Sequence, residues 1–207
     1  MKQLYLTSSG SLVIDRIVQD INISNNKLVF ISTASEVEKG DLAWLESDRQ
    51  SLVIAGFDVF NYTITNKKKQ DIKNDLKKFD ILFVAGGNTF YLLEKSQQCG
   101  FIDVARELVL KDDKIYIGSS AGSVIAGPDI YPVFIADDVS LAPNLKGYKG
   151  FGLVDFLVFP HWGNNKFKDN YLNKRLDHSF NDTNQTILLR DNQYIEVKDD
   201  WYRIVEE

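Results

Sequence analysis

Short runs rich in β-forming residues alternate along this chain with longer stretches of helical spacing, and that alternation restricts the fold most. The runs are Leu4–Thr7, Lys27–Thr33, Asp58–Thr65, Asp80–Val84 and Lys114–Ile117. Between them, Leu12 to Ile23 carries Leu12, Val13, Ile17, Val18 and Ile21 at helical intervals. Asp41 to Gly56 turns Leu42, Leu45, Leu52 and Val53 inward, and Gly56 ends it. A Lys/Asp-rich helix, then helices over Thr89–Gln97 and Ile102–Leu110, complete the pattern. Strands buried on both faces and separated by helices build βαβ units, so the expected core is a parallel sheet covered by helices.

Beyond residue 127 the pattern loosens. Gly127-Pro128-Asp129 and Ala142–Gly152 have turn composition, Leu153–Phe159 is an apolar strand ending at Pro160-His161, and Phe167–Phe180 is helical. The tail reads as an antiparallel meander of Thr186–Leu189, Tyr194–Val197 and Trp201–Val205, with Asp191-Asn192 and Asp199-Asp200 at the turns. No repeat or linker interrupts the 207 residues, so a single domain over 1–207 is expected.

Composition removes several function classes. Hydrophobic residues make up 44% and charged residues 26%, the usage of an ordinary globular chain. The formal net charge of −5 argues against a nucleic-acid partner. Lys67-Lys68-Lys69 and Lys77-Lys78 sit among Asp71, Asp75 and Asp80 and read as solvated helix faces. One cysteine, Cys99, cannot form an internal disulfide and reads as a packed thiol at a helix end. Neither a signal-peptide core nor a run of about 18 apolar residues is present, so a cytoplasmic protein without a membrane partner is expected. No His/Cys/Asp cluster has metal-ligand spacing, and neither metal nor cofactor is expected.

Ligands of an open parallel sheet bind beyond the carboxyl ends of its strands. Two glycine-rich turns lie there: Ala85-Gly86-Gly87-Asn88-Thr89 after the fourth strand and Gly118-Ser119-Ser120-Ala121-Gly122 after the fifth. The second fits G-x-S-x-G between strand and helix, a turn sharp enough to expose the Ser120 hydroxyl beside backbone N–H donors. The plainer alternative is that Ser120 caps the helix. A nucleophilic serine needs a base, and only His161 and His178 are available. His161 follows an apolar strand, although it could be structural, whereas His178 lies in the polar segment Arg175–Ser179 and reads as solvated. Ser120 and His161 are 41 positions apart, fewer than an α/β-hydrolase fold normally places between nucleophile and base.

Four motifs in this order and spacing carry a resemblance: Ala-Gly-Gly-Asn-Thr-Phe at 85–90, Ile-Gly-Ser-Ser-Ala-Gly at 117–122, Phe-Pro-His at 159–161 and Leu-Leu-Arg-Asp at 188–191. The chain resembles the peptidase E family of serine peptidases, which includes aspartyl dipeptidases and, more distantly, cyanophycinases. The resemblance implies a three-layer αβα sandwich similar to class I glutamine amidotransferases, with a mostly parallel central sheet and here a C-terminal antiparallel segment. It implies Ser120 as nucleophile, His161 as general base, and Gly87 and Ala121 as oxyanion-hole donors. It offers Asp191 as the acid that orients His161, with Asp137 second. Asp191 could equally be a plain turn residue. Asn88 and Lys168 are expected to contact substrate and Trp162 to line the pocket, while Trp44 and Trp201 are expected to be core or half-buried. Ser119 stands where the dipeptidases carry a large aromatic, and Lys168 roughly where they carry an Arg. Arg and Lys are not interchangeable at a bidentate site, so a preference for N-terminal Asp does not follow. The expected activity is cleavage of small peptides such as dipeptides; the alternatives are a silent small-molecule-binding module and an esterase or amidase.

Overall fold

Five strands pair in parallel in the order β3-β2-β4-β5-β1: β1 (Gln3–Thr7), β2 (Lys27–Ile31), β3 (Asp58–Tyr62), β4 (Ile81–Val84) and β5 (Ile115–Ser119). The computed structural model describes residues 1–21, 26–133, 136–179 and 183–207, and not the side chains of Pro132 and His178. Side chains alternate across the sheet as the pleat dictates. Leu4, Leu6, Val29, Ile31, Leu82 and Val84 face one core, packed with apolar residues of α3 (Lys69–Leu76), α4 (Thr89–Cys99) and α5 (Phe101–Leu110). Tyr5, Leu28, Phe30, Ile81, Phe83 and Ile117 face the other, with α1 (Ile14–Asp20) and α2 (Ala43–Ile54). The result is the expected three-layer α/β sandwich. Phe30 and Phe83, on neighbouring strands, stack with ring centroids 5.1 Å apart. Burial of each such ring contributes about 2 kcal/mol.

The early helices depart from the expected pattern in detail. Leu52 is buried, but Val53 is 43% exposed. Trp44 and Trp201, at 41% and 49% exposed, take the half-buried one of the two expected settings. The first helix ends at Asp20, with Ile21 already extended, short of the expected Ile23; Ile23 and Phe180 themselves lie outside the described residues. Among the described residues no helix is long and apolar enough to cross a membrane.

The C-terminal meander is corrected. β8 (Gln193–Lys198) and β9 (Trp201–Glu206) do form a hairpin, and β8 pairs antiparallel along all of β1, extending the central sheet to seven strands. The 186–189 stretch does not join them. As β7 (Gln185–Leu188), it pairs in parallel with β6 (Phe156–Phe159) in a separate two-stranded sheet. The physical reason is edge satisfaction: the unpaired edge of β1 takes the hairpin, and β7 finds its backbone partners on β6. The pairing continues past the strand ends, through Leu189 N–H to the Phe159 carbonyl at 2.8 Å and Trp162 N–H to the Leu189 carbonyl at 3.0 Å. The segments Pro160-His161 and Arg190-Asp191 therefore emerge side by side.

Candidate active site

The G-x-S-x-G turn lies between β5 and the short helix α6 (Ala121–Val124). Its glycines are required by close backbone contact. A Cβ on Gly122 would sit 1.9 Å from the Val84 carbonyl oxygen, and one on Gly118 would sit 2.6 Å from the Gly122 oxygen. Squeezed between them, Ser120 adopts φ 49°, ψ −107°, outside the comfortable regions for a residue with a side chain. The Ser120 N–H is anchored on the Thr7 carbonyl at 3.1 Å. Ser120 occupies the cap position of α6, yet its hydroxyl makes no capping bond. The hydroxyl lies instead 3.0 Å from His161 Nε2.

His161 Nδ1 is 2.6 Å from Asp191 Oδ1. Burial pushes the Asp191 carboxyl upward, but hydrogen bonds from His161, Ser8 and Asn164 outweigh it and hold the group well below the ordinary carboxylate range. An ionised Asp191 can only accept, so Nδ1 carries the proton and the Nε2 lone pair faces the Ser120 hydroxyl. Asn164 Nδ2 donates to the second oxygen, Oδ2, at 2.9 Å. The imidazole is stacked on Phe167. The preceding carbonyl, of Pro160, accepts from the Tyr171 hydroxyl, whose pKa burial raises to about 12, so it remains a donor at neutral pH.

The other candidate acid, Asp137, lines the same cleft but bonds to the start of α4 rather than to His161. Asp137 Oδ2 accepts from Thr89 N–H at 2.7 Å, at the start of α4, and burial pushes its carboxyl upward. Gly87 has φ +125° and passes so near Ala34 that a Cβ would lie 2.4 Å from that carbonyl. Ser120, Ala121, Gly87, His161 and Asp191 all line one cleft of about 750 Å³.

A family model described as peptidase family S51 matches residues 4–205. The chain belongs to this family. An uncharacterized peptidase of Listeria monocytogenes is 36% identical over 173 residues, 82% of each chain. Peptidase E of Salmonella arizonae is 36% identical over 90 residues, 43% of this chain and 37% of its own. The crystal structure of a candidate peptidase E protein from Listeria monocytogenes superimposes with a TM-score of 0.90 at 30% identity, covering 100% of this chain and 99% of the other. The S51 protein described here is thus a serine-type peptidase.

Two expectations about its cleft need correction. Trp162 does not line it; the ring packs edge-on against Tyr171 at 5.6 Å, in a small core with Leu157 and Phe159. Lys168 is not among the lining residues either, whereas Lys166 is. Lys168 opens a short helical turn, and the lysine on the cleft wall is two residues earlier in the chain. Asn88 lines the cleft, but its amide is engaged within the fold: Oδ1 accepts from Tyr91 N–H at 2.9 Å and Nδ2 donates to the Asp138 carbonyl at 3.0 Å. Sequence reasoning also missed lining residues of this S51 peptidase, among them Trp44, Asp48, Arg175 and Ser8. Arg175 is 3% exposed, with its guanidinium over the Phe159 and Tyr171 rings. No local signal marks Arg175. Ser8 does have one: Thr7-Ser8-Ser9-Gly10 is a third small-residue turn beyond a strand's carboxyl end. The side chain of His178 lies outside the described residues.

Proposed function

We propose that this S51 peptidase hydrolyses peptide bonds of small peptides through an acyl-enzyme on Ser120. His161 Nε2 takes the Ser120 proton as the hydroxyl oxygen attacks the scissile carbonyl carbon. Asp191 stays ionised, fixes the Nδ1–H tautomer and stabilises the imidazolium. The tetrahedral oxyanion is held by the N–H groups of Gly87 and Ala121. His161 then protonates the leaving amine, and water, activated in the same way, releases the acid and restores the serine.

The observation that carries this reading is the unbroken hydrogen-bonded line from Ser120 through His161 to Asp191, with contacts of 3.0 and 2.6 Å. A cleft of about 750 Å³ supports a small substrate. The main core draws on residues from Leu4 to Val197, which supports one domain acting as a unit. A lone buried thiol, Cys99, and a net charge of −5 support a cytoplasmic protein without a nucleic-acid partner.

A dipeptide panel varied at the N-terminal residue, run on wild type and Ser120→Ala, tests the proposal. Hydrolysis by wild type and loss of several orders of magnitude in the variant are expected. Labelling of Ser120 by a fluorophosphonate adds an independent readout. Full activity of Ser120→Ala would overturn the reading.

A further inference from the structure

The turn after β1 touches Ser120, His161 and Asp191 without belonging to the four motifs that carry the family resemblance. The Thr7 carbonyl accepts from Ser120 N–H at 3.1 Å and from the Ser123 hydroxyl at 2.7 Å. Three residues on, Gly10 N–H donates to the Ser119 hydroxyl at 3.2 Å, and Ser11 N–H donates to Asp48 Oδ1 at 2.8 Å. Asp48 is 3% exposed on α2. The turn is thus fastened to the nucleophile strand on one side and to a helix on the other.

Ser8, fully buried, lies between these anchors. Its hydroxyl donates to Asp191 Oδ1 at 2.7 Å and accepts from the backbone N–H of His161 at 2.7 Å. One hydroxyl proton and its lone pairs meet both demands. His161 has φ 65°, a left-handed conformation that a residue with a side chain adopts at a cost of about 1 kcal/mol or more. The Ser8 hydroxyl holds the backbone in that conformation. Asp191 Oδ1 then has two donors, His161 Nδ1 and Ser8 Oγ, while Asn164 engages Oδ2. The carboxylate is fixed from both ends.

We infer that Ser8 is a positioning residue: it locks Asp191 and the His161 backbone to the strand end that anchors Ser120, so that three distant stretches of chain share one geometry. The inference rests on the proposed roles of Ser120, His161 and Asp191. Ser8 acts through those groups and need not touch substrate. Its loss lowers kcat and leaves KM in place, because alignment matters in the transition state more than in binding.

The test is a double-mutant cycle with a peptide that the wild type cleaves. Ser8→Ala is expected to lower kcat about 10-fold, the effect of one lost hydrogen bond to a charged group, with KM within about two-fold. In an Asp191→Asn background the further loss is expected to shrink to about two-fold or less, since the carboxylate through which Ser8 acts is gone. An equal loss in both backgrounds overturns the inference and leaves only a structural role, as does an unchanged kcat or an effect confined to KM. If Ser8→Ala does not fold, Ser8→Cys keeps the volume with a weak donor and carries the same expectation. A second readout needs no turnover. The low-field proton signal of His161 Nδ1–H, recorded in a Ser120→Ala background, is expected to move when Ser8 is replaced; an unmoved signal overturns the inference. Failure of the triad proposal is distinguished by Ser120→Ala retaining activity, whereas failure of this one leaves that variant inactive and Ser8→Ala fully active.

Discussion

The His161 imidazole lies parallel to the Phe167 ring, with 4.7 Å between centroids and 13° between planes. The ring stops the imidazole from swinging away from Ser120, while Asp191 stops it from rotating about its own axis. Phe167→Ala is expected to lower kcat about 10-fold with a smaller change in KM, because a side chain freed to sample other rotamers spends less time aligned. Phe167→Leu is expected to retain most activity. Steady-state kinetics on both variants check this, and equal kcat in wild type and Phe167→Ala would refute it.

Ser120 occupies a backbone conformation that favours glycine. Replacing it by glycine removes the nucleophile and the strain together. Ser120→Gly is expected to be inactive yet more stable than Ser120→Ala by about 1 kcal/mol. Urea unfolding of the two variants measures the difference; equal midpoints would show that the turn is not strained.

Gly122 leaves no room for a methyl group against the Val84 carbonyl oxygen. The clash is with backbone, which cannot rotate aside. Gly122→Ala is expected to destabilise the fold by about 3 kcal/mol or more, or to prevent soluble expression. Gly147, where a Cβ meets nothing within 4 Å but φ is +72°, is the control: alanine there is expected to cost only about 1 kcal/mol. Thermal melts of the pair decide the matter.

The two acids are expected to separate cleanly by mutation. Asp191→Asn removes the acceptor that fixes the His161 tautomer and is expected to lower kcat by about 10³–10⁴-fold. Asp137→Asn disturbs the start of α4 and is expected to cost about 1 kcal/mol of stability with a far smaller loss of kcat. A larger kinetic loss from Asp137→Asn would reverse the assignment.

Asp191 also sets a pH dependence of stability. Its folded-state pKa is depressed, so the stabilisation is complete above the unfolded value, about pH 4, and is lost as pH falls through the lower folded value. The stability gap between wild type and Asp191→Asn is therefore expected to narrow as pH falls below about pH 4. Chemical denaturation below about pH 4 measures the gap, and a gap that widens there on acidification would contradict the assigned hydrogen bonds.

The parallel core was legible because strand and helix periods are local properties. The glycines of 118–122 were legible because a sharp turn needs small residues wherever it occurs. The position of 185–188 was not. Its composition suits a strand in either sheet, and the choice depends on which free edges the rest of the fold presents. The cleft walls at Trp44 and Arg175 were equally hidden, since these residues come from elements far apart in sequence.

Local order along the chain therefore determined the layered α/β framework, the family resemblance and the turn that exposes Ser120. Only the tertiary structure decided that His161 and Asp191 stand beside one another, and that Ser8 joins them. The reason is physical: an imidazole and a carboxylate 30 positions apart meet because β6 and β7 pair in parallel, and backbone pairing between distant segments leaves no mark in either segment alone.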